Sequence, residues 1–543
     1  MPDREQSILM ASNLRFVVDD DGESWRAIAP ICADIEQLPP YAPELLVLAE
    51  DRRFYWHPGF DLIAIVRVIA GGSGGGSTIS QQLARTLVGN DRSNSLMRKL
   101  RELAYALKLE WQFSKREVLQ MYLNNVWFGS GAYGIESAAR EYFGKRASDL
   151  TALEAAILIQ SLPQPAVNWH SNPARSRERG ERLLVAYEQA EGPLDARSRR
   201  ISAGQLRRRE IDSASLFDSI RREGFPVCGG RQLLVTTINP TAQIYAELAL
   251  RRFVYRYRQH GAGNGALISL GRNNEVISMV PTVDRGISQY DHAMVARRSP
   301  GSAIKPLIYL AALQAGWRLD QSISALPFVD SATGWSPRNY NGRYPSRVSL
   351  LQGLTHSYNT AAVRLLQDVG MDAVRQLATD LHFEYEPMSD LGMALGAGTT
   401  TLKELVELHS VLAHGDDRGD AFLLWGAISM NTWTTCDWEQ RSPTPRLTVS
   451  DQQQITRALR NVVVNGTARH AQAGALAVIG KTGTSDEYRD AWFIGSTGAL
   501  TTGIWVGNDS NTSMRGVTGG DAPAEAFSNY MTNMNASGLA NDE

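Results

Sequence analysis

Three short stretches in the second half of the 543-residue chain carry residue types suited to acyl transfer. In "PGSAIKPLIYL", Ser302 stands three residues before Lys305 at the start of an apolar run. Positions three apart share a helix face, so the Lys305 amine can reach the Ser302 hydroxyl. A lysine kept neutral by burial or by neighbouring cations can take that proton and leave a nucleophilic oxygen. The second stretch, "THSYNTAAV", supplies Ser357 and Asn359, and the third, "GKTGTS", supplies Lys481, Thr482, Gly483 and Thr484. Each stretch alone has an ordinary explanation as a helix cap or a turn. All three together, in this order, describe one reaction centre. Ser302 attacks an amide carbonyl, Lys305 acts as base, and Lys481 is a second cation that depresses the Lys305 pKa. Ser357 relays a proton to the leaving amine, and Asn359 holds the substrate backbone. Lys481 and Thr484 bind a terminal carboxylate, and Gly483 lets a substrate strand lie against the protein edge. Backbone N–H groups at Ser302 and near Thr484 would form an oxyanion hole.

The first half holds a different set. "LAEDRRFYWHPGFD" places Glu50, Asp51, Arg52 and His57 close together. "NSLMRKLRELAYALKLEWQF" has apolar residues at helical spacing, and Arg98, Lys99 and Glu102 fall on one face of that helix. Such a face is either a surface salt-bridge cluster or a clamp for a diphosphate with an acid beside it. Between them, "GGSGGGSTISQQ" has the composition of a flexible loop.

These residues need elements to position them. The pattern predicts a β-rich lead-in over 1–40, a helical domain over 41–190, and an arginine-rich linker with a solvated helix over 191–230. A mixed α/β domain over 231–530 and a disordered tail over 531–543 follow. Hydrophobic content of 43% and charged content of 21% exclude a disordered chain, and a net charge of −2 argues against a nucleic-acid partner. Cys32, Cys228 and Cys436 lie far apart, without metal-ligand spacing or a disulfide framework. The charged start lacks the apolar core of a signal peptide or spanning helix. The most apolar early segment, "FDLIAIVRVIAGG", is short and carries Arg67, so an amphipathic surface near 61–72 is what remains to meet lipid.

At Ser302–Lys305, Ser357–Asn359 and Lys481–Thr484 the chain resembles the transpeptidase domain of class A penicillin-binding proteins. "LLVTTINPTAQIYAELAL" and "GIWVGNDSNTSMRGVTGGDAPAEAF" extend the likeness over roughly 230–530. The stretch between "LAHGD" and "LTVSD" is hard to match. Over roughly 41–190, Glu-Asp-Arg with His57, "STISQQ", "RKLRE" and the Tyr-Leu-Asn run resemble the family's peptidoglycan glycosyltransferase domain. The resemblance implies a multidomain α+β protein, with a lysozyme-like, mostly helical domain followed by an α/β serine β-lactamase-like domain. It implies a bifunctional synthase that polymerises lipid II and cross-links stem peptides through a Ser302 acyl-enzyme. The alternatives are a D-Ala-D-Ala carboxypeptidase and a non-polymerising binding homologue. By the same resemblance Glu50 is the base for the acceptor sugar, and Glu102, Arg98 and Lys99 face the donor diphosphate. Asp51, Arg52, His57, Arg67, Ser77, Thr78, Gln81, Gln82 and Arg85 would line the cleft, with Arg85 standing where the family usually has lysine. Residues 71–76 would form a flap. The transpeptidase needs no cofactor, whereas the glycosyltransferase leaves room for magnesium or manganese. The implied partners are lipid II, growing peptidoglycan, β-lactams and a membrane surface. The implied place is the periplasmic, outer face of the bacterial inner membrane.

Overall fold

The computed structural model describes residues 2–540 except 20, 21, 23, 29, 65–76, 89–95, 203, 205–210, 226–229, 287, 388–389, 418, 433 and 439–443. The chain forms two compact units. The first comprises residues 1–211, 225–241 and 424–439, and the second comprises 212–224, 242–423 and 440–543.

In the first unit, an almost wholly buried helix, Ala152–Ser161, packs against helices Pro173–Glu191, Tyr41–Glu50 and Ile135–Phe143, while helices Ile79–Val88, Leu96–Gln112 and Lys115–Asn125 pack on one another. Capping boxes set where these helices begin. Ser114 with Glu117 starts Lys115–Asn125, and Thr151 with Glu154 starts Ala152–Ser161. Beside the helices lies a five-stranded antiparallel sheet. Its order is Thr435–Trp438, Leu424–Ser429, Gln232–Thr236, Arg15–Val18 and Trp25–Ile28. Arg15 is fully buried beneath it and donates to Asn125 Oδ1 at 2.6 Å. Burial holds its pKa down to about 10.

The second unit is built on another five-stranded antiparallel sheet. Its order is Ile479–Thr484, Asp490–Ser496, Thr501–Gly507, Asn264–Leu270 and Val276–Val280. Phe493 and Ile494 are successive residues of one strand and point to opposite faces. Phe527 of helix Ala522–Ala536 meets Phe493, with ring centroids 4.8 Å apart. On the other face, Gly503 pairs with Ile494, and a Cβ at Gly503 would lie 2.2 Å from Val406 of helix Leu402–His414. The sheet is therefore covered on both sides, and Ile479–Thr484 is an edge strand.

Several expectations are corrected. Residues 531–540 are not a disordered tail: helix Ala522–Ala536 buries Tyr530, Met531 and Met534. The linker helix, Ser213–Glu223, is not solvated, because Leu216, Phe217 and Ile220 are buried. The lead-in begins not with a strand but with a helix, Arg4–Ser12, which the capping box Asp3–Gln6 starts. The second domain does not begin at 231, since Gln232–Thr236 completes the first unit's sheet. The stretch that resisted matching contains the hairpin Leu424–Trp438, which also belongs to that sheet. Cys436 is disulfide-bonded, which the cysteine spacing did not suggest, and Cys32 is free. Arg67, Cys228 and the proposed flap at 71–76 lie outside the described residues.

Candidate active sites

In the second unit, Ser302 sits in a 3₁₀ turn, Gly301–Ile304, that runs into helix Lys305–Gln314. Lys305 is fully buried. Its Nζ donates to Asn359 Oδ1 at 2.6 Å, to the Ser357 carbonyl at 2.8 Å and to Ser357 Oγ at 3.2 Å. Lys481, on the edge strand, is also fully buried and donates to Ser357 Oγ at 3.0 Å and to the Thr482 carbonyl at 2.9 Å. One hydroxyl thus lies between two amines. Burial, and then the charge of Lys481, hold the Lys305 pKa well below its ordinary value. Burial alone brings Lys481 down to about 7. A neutral amine one helical turn from the half-exposed Ser302 hydroxyl is the arrangement a lysine base needs.

The backbone around these groups is tightly determined. Ser357 has φ of +56°, a conformation that a non-glycine residue adopts at a cost of about 1–3 kcal/mol. Its hydroxyl lies 3.2 Å from the Lys305 amine and 3.0 Å from that of Lys481. A Cβ at Gly301 would lie 2.3 Å from the Thr484 carbonyl oxygen, so only glycine lets the nucleophile turn meet the edge strand. Gly483 serves the same contact: a Cβ there would lie 2.4 Å from the Pro300 oxygen and 2.9 Å from the Ala303 Cβ. The missing side chain of Gly483 thus makes room for the turn that carries Ser302. Asn359 is fixed from both ends, its N–H donating to Asn339 Oδ1 at 2.8 Å and its Nδ2 to the Arg338 carbonyl at 2.7 Å. Thr482 shares a 2.7 Å hydroxyl contact with Thr467, and Thr484 Oγ1 accepts from Gly519 N at 3.1 Å.

Two supports were not visible in the sequence. His409 lies buried under the nucleophile turn, and its Nε2 donates to the Ala303 carbonyl at 3.4 Å. Burial lowers its pKa to about 4, which keeps it neutral. Trp492 Nε1 donates to the Ser299 carbonyl at 2.9 Å. Neither stands near a motif, and only the folded chain brings them under Ser302.

In the first unit, Glu50 ends helix Tyr41–Glu50, and its Oε2 accepts from Gln82 Nε2 at 3.0 Å. The Gln82 side-chain Oε1 in turn accepts from the buried Tyr122 hydroxyl at 2.8 Å. Burial pushes the Glu50 pKa up, against the pull of the Gln82 hydrogen bond. Three residues beyond Gln82 on the same helix, Arg85 grips Glu102 with two parallel bonds, Nε to Oε1 at 2.9 Å and Nη2 to Oε2 at 2.8 Å. Arg98 adds a third at 2.7 Å. The two carboxylates are therefore held from one helix face by residues three apart.

The other expected cleft residues divide. Asp51 and His57 are buried and serve the fold. His57 Nδ1 accepts from Gly59 N at 3.1 Å, which assigns the proton to Nε2, 3.0 Å from Asp51. Asp51 also accepts from Ile79 N at 3.0 Å. Thr78 and Gln81 form the capping box of helix Ile79–Val88, at 3.0 and 3.2 Å. Arg52, Ser77 and Lys99 are exposed. Glu110 and Lys115, paired at 2.8 Å, stand in no motif, and neither does the Lys115 bond to the His57 carbonyl at 2.6 Å.

A divalent metal does not fit the donor set. Both Glu102 oxygens are taken by guanidinium groups, and no group of three or more His, Cys, Asp or Glu side chains among the described residues could hold one.

Residues 23–188 match the family model described as transglycosylase, and 266–532 match the penicillin-binding protein transpeptidase domain. The chain belongs to the class A penicillin-binding proteins. Penicillin-binding protein 1A of Aquifex aeolicus is 29% identical over 88% of this chain and 80% of its own length. Penicillin-binding protein 4 of Bacillus subtilis is 28% identical over 92% and 88%. The solved structure of penicillin-binding protein 1A from Haemophilus influenzae has a TM-score of 0.57 at 18% identity, over 98% of this chain and 93% of that one, a likeness of fold. PonA1 of Mycobacterium tuberculosis, solved with penicillin V, matches 57% of this chain and 88% of its own with a TM-score of 0.50 at 20% identity. This class A penicillin-binding protein is a bifunctional peptidoglycan synthase, with one domain for glycan polymerisation and one for peptide cross-linking.

Proposed function

We propose that the two sites described above carry the two reactions of the synthase. The observation that carries the reading is the convergence of Lys305, Ser357, Asn359 and Lys481, with a buried amine on each side of one hydroxyl, at the end of the turn that carries Ser302. Neutral Lys305 takes the proton of Ser302 as its Oγ attacks the carbonyl of the penultimate D-alanine. The C–N bond breaks, and Ser357 hands its proton to the departing D-alanine amine and takes one back from protonated Lys305, 3.2 Å away. A neighbouring stem peptide's amine then attacks the ester, displaces Ser302 and restores its proton. Lys481 and Thr484 meet the donor's carboxylate. A β-lactam enters the same path and stays on Ser302, because its leaving group remains tethered. A fluorescent penicillin labelling the wild type and sparing Ser302→Ala tests this, and equal labelling of both proteins refutes it.

In the first unit, Glu50 takes the proton of the acceptor sugar hydroxyl while Arg85 and Arg98 meet the donor's diphosphate. Burial raises Glu50 toward the range of a useful base. Glu50→Gln should lose polymerisation of lipid II and keep penicillin labelling.

The work place is a membrane surface at the periplasmic face of the inner membrane. No helix among the described residues is long and apolar enough to cross a bilayer. Helix Leu96–Gln112 instead exposes Met97, Leu100, Leu107 and Trp111 along one side, with Trp111 86% exposed. Exposed Leu62 and Ile63 add to the apolar surface of the same unit. A stripe of this kind suits an interfacial helix that lies in the headgroup layer. The disulfide at Cys436 supports an oxidising compartment. Replacing Leu100 and Trp111 with lysine should weaken flotation with anionic vesicles, and unchanged flotation refutes the lipid contact.

A further inference from the structure

Glu102 is buried, and Arg85 and Arg98 occupy both of its oxygens through three charge-assisted bonds. Three of the carboxylate's roughly four acceptor sites are filled, and a divalent cation at the site left on Oε2 would stand against the Arg85 guanidinium that the same oxygen binds. Two guanidinium groups thus stand against one carboxylate. Arg85 spends two of the five N–H donors of a guanidinium on Glu102, so three remain for a ligand.

A leaving diphosphate needs positive charge that grows in effect as the glycosidic bond breaks. A metal ion is one source, and a pair of oriented guanidinium groups is another. We propose that Glu102 acts here as a positioning residue that aims Arg85 and Arg98, and that this synthase polymerises glycan without a divalent cation. The arginine at 85 is the reason. A lysine is a point charge with one nitrogen, could engage only one Glu102 oxygen at a time, and would leave the other open to a metal. The fork engages both oxygens at once and sets a guanidinium charge against each. The ligand class is a lipid-linked diphosphate, met by N–H donors and not through a cation bridge. This rests on the glycosyl-transfer reading given above.

The test uses the full chain with fluorescent lipid II, in EDTA and in added magnesium or manganese. The expected rate in EDTA is within about twofold of that with magnesium. A larger loss that magnesium restores overturns the proposal while leaving glycosyl transfer intact. Absence of glycan product under every condition overturns both. Manganese binding followed by electron paramagnetic resonance is a readout independent of turnover. The wild type should bind no more manganese than Glu102→Gln, and a site present in the wild type and missing from that variant refutes the idea. Arg85→Lys, which keeps the charge but opens the fork, should become sensitive to EDTA by about tenfold. A variant as insensitive to EDTA as the wild type removes Arg85 as the cause.

Discussion

Replacing Gly483 with alanine gives the sharpest test of how the transpeptidase site is assembled. The new Cβ would fall 2.4 Å from the Pro300 oxygen, 2.9 Å from the Ala303 Cβ and 3.1 Å from the Trp492 Cβ. Ordinary contact begins near 3.4 Å, so the Pro300–Ala303 turn must retreat by about 1 Å, since backbone atoms and a Cβ cannot swing aside. Overpacking of this kind costs about 1–3 kcal/mol. In domains of 150–250 residues each kcal/mol lowers Tm by about 2–4 °C, and the second unit is somewhat larger. A nucleophile displaced by about 1 Å loses about a hundredfold in rate. Scanning calorimetry and the second-order rate of acylation by a fluorescent penicillin report the two effects. Polymerisation of lipid II is the internal control, because Glu50 and Glu102 lie in the other unit. An unchanged melting temperature would refute the reasoning whatever the acylation rate, because the space at Gly483 would then belong to the substrate.

Other consequences are as direct. Ser357→Gly and Ser357→Ala both remove the hydroxyl between the lysines, but only glycine relieves the φ of +56°. The glycine variant should be the more stable by about 1 kcal/mol in denaturant melts, with acylation lost in both. Lys481 has a folded pKa of about 7, below its ordinary value of 10.5. The unfolded chain therefore binds the extra proton between those values, and the stability from this group rises with pH from about 7 to 10.5. Lys481→Met should flatten that slope in melts taken across the range while abolishing acylation. Removing the Gln82 hydrogen bond takes away an influence that lowers the Glu50 pKa. The acidic limb of the polymerisation profile should move to higher pH in Gln82→Ala.

Most of the transpeptidase chemistry was legible in the sequence, because the types and order of Ser302, Lys305, Ser357, Asn359 and Lys481 survive any change in the surrounding loops. The hairpins at 264–280 and 490–507 were legible from alternation and turn residues. What the sequence hid was non-local. Gly483 looked like a place for substrate because the strand edge is visible in one dimension, whereas the turn at Pro300 that fills the space comes from 183 positions earlier. Arg85 and Glu102 were separately visible, but their fork needs two helices in contact. Thr78 and Gln81 were assigned to the cleft although their spacing is that of a capping box, a local signal that the stronger motif obscured.

The sheet of the first unit sets an order on synthesis. Its middle strand is residues 232–236, and the hairpin that covers that strand's far side ends at residue 438 of 543. A ribosome must therefore make most of the polypeptide before the amino-terminal body can close. Until then Gln232–Thr236 presents bare amides and carbonyls to any passing strand, a hazard for self-association. A fragment cut after residue 241 would carry that hazard permanently, so a stand-alone polymerase piece should be soluble only if the 424–438 peptide is supplied with it.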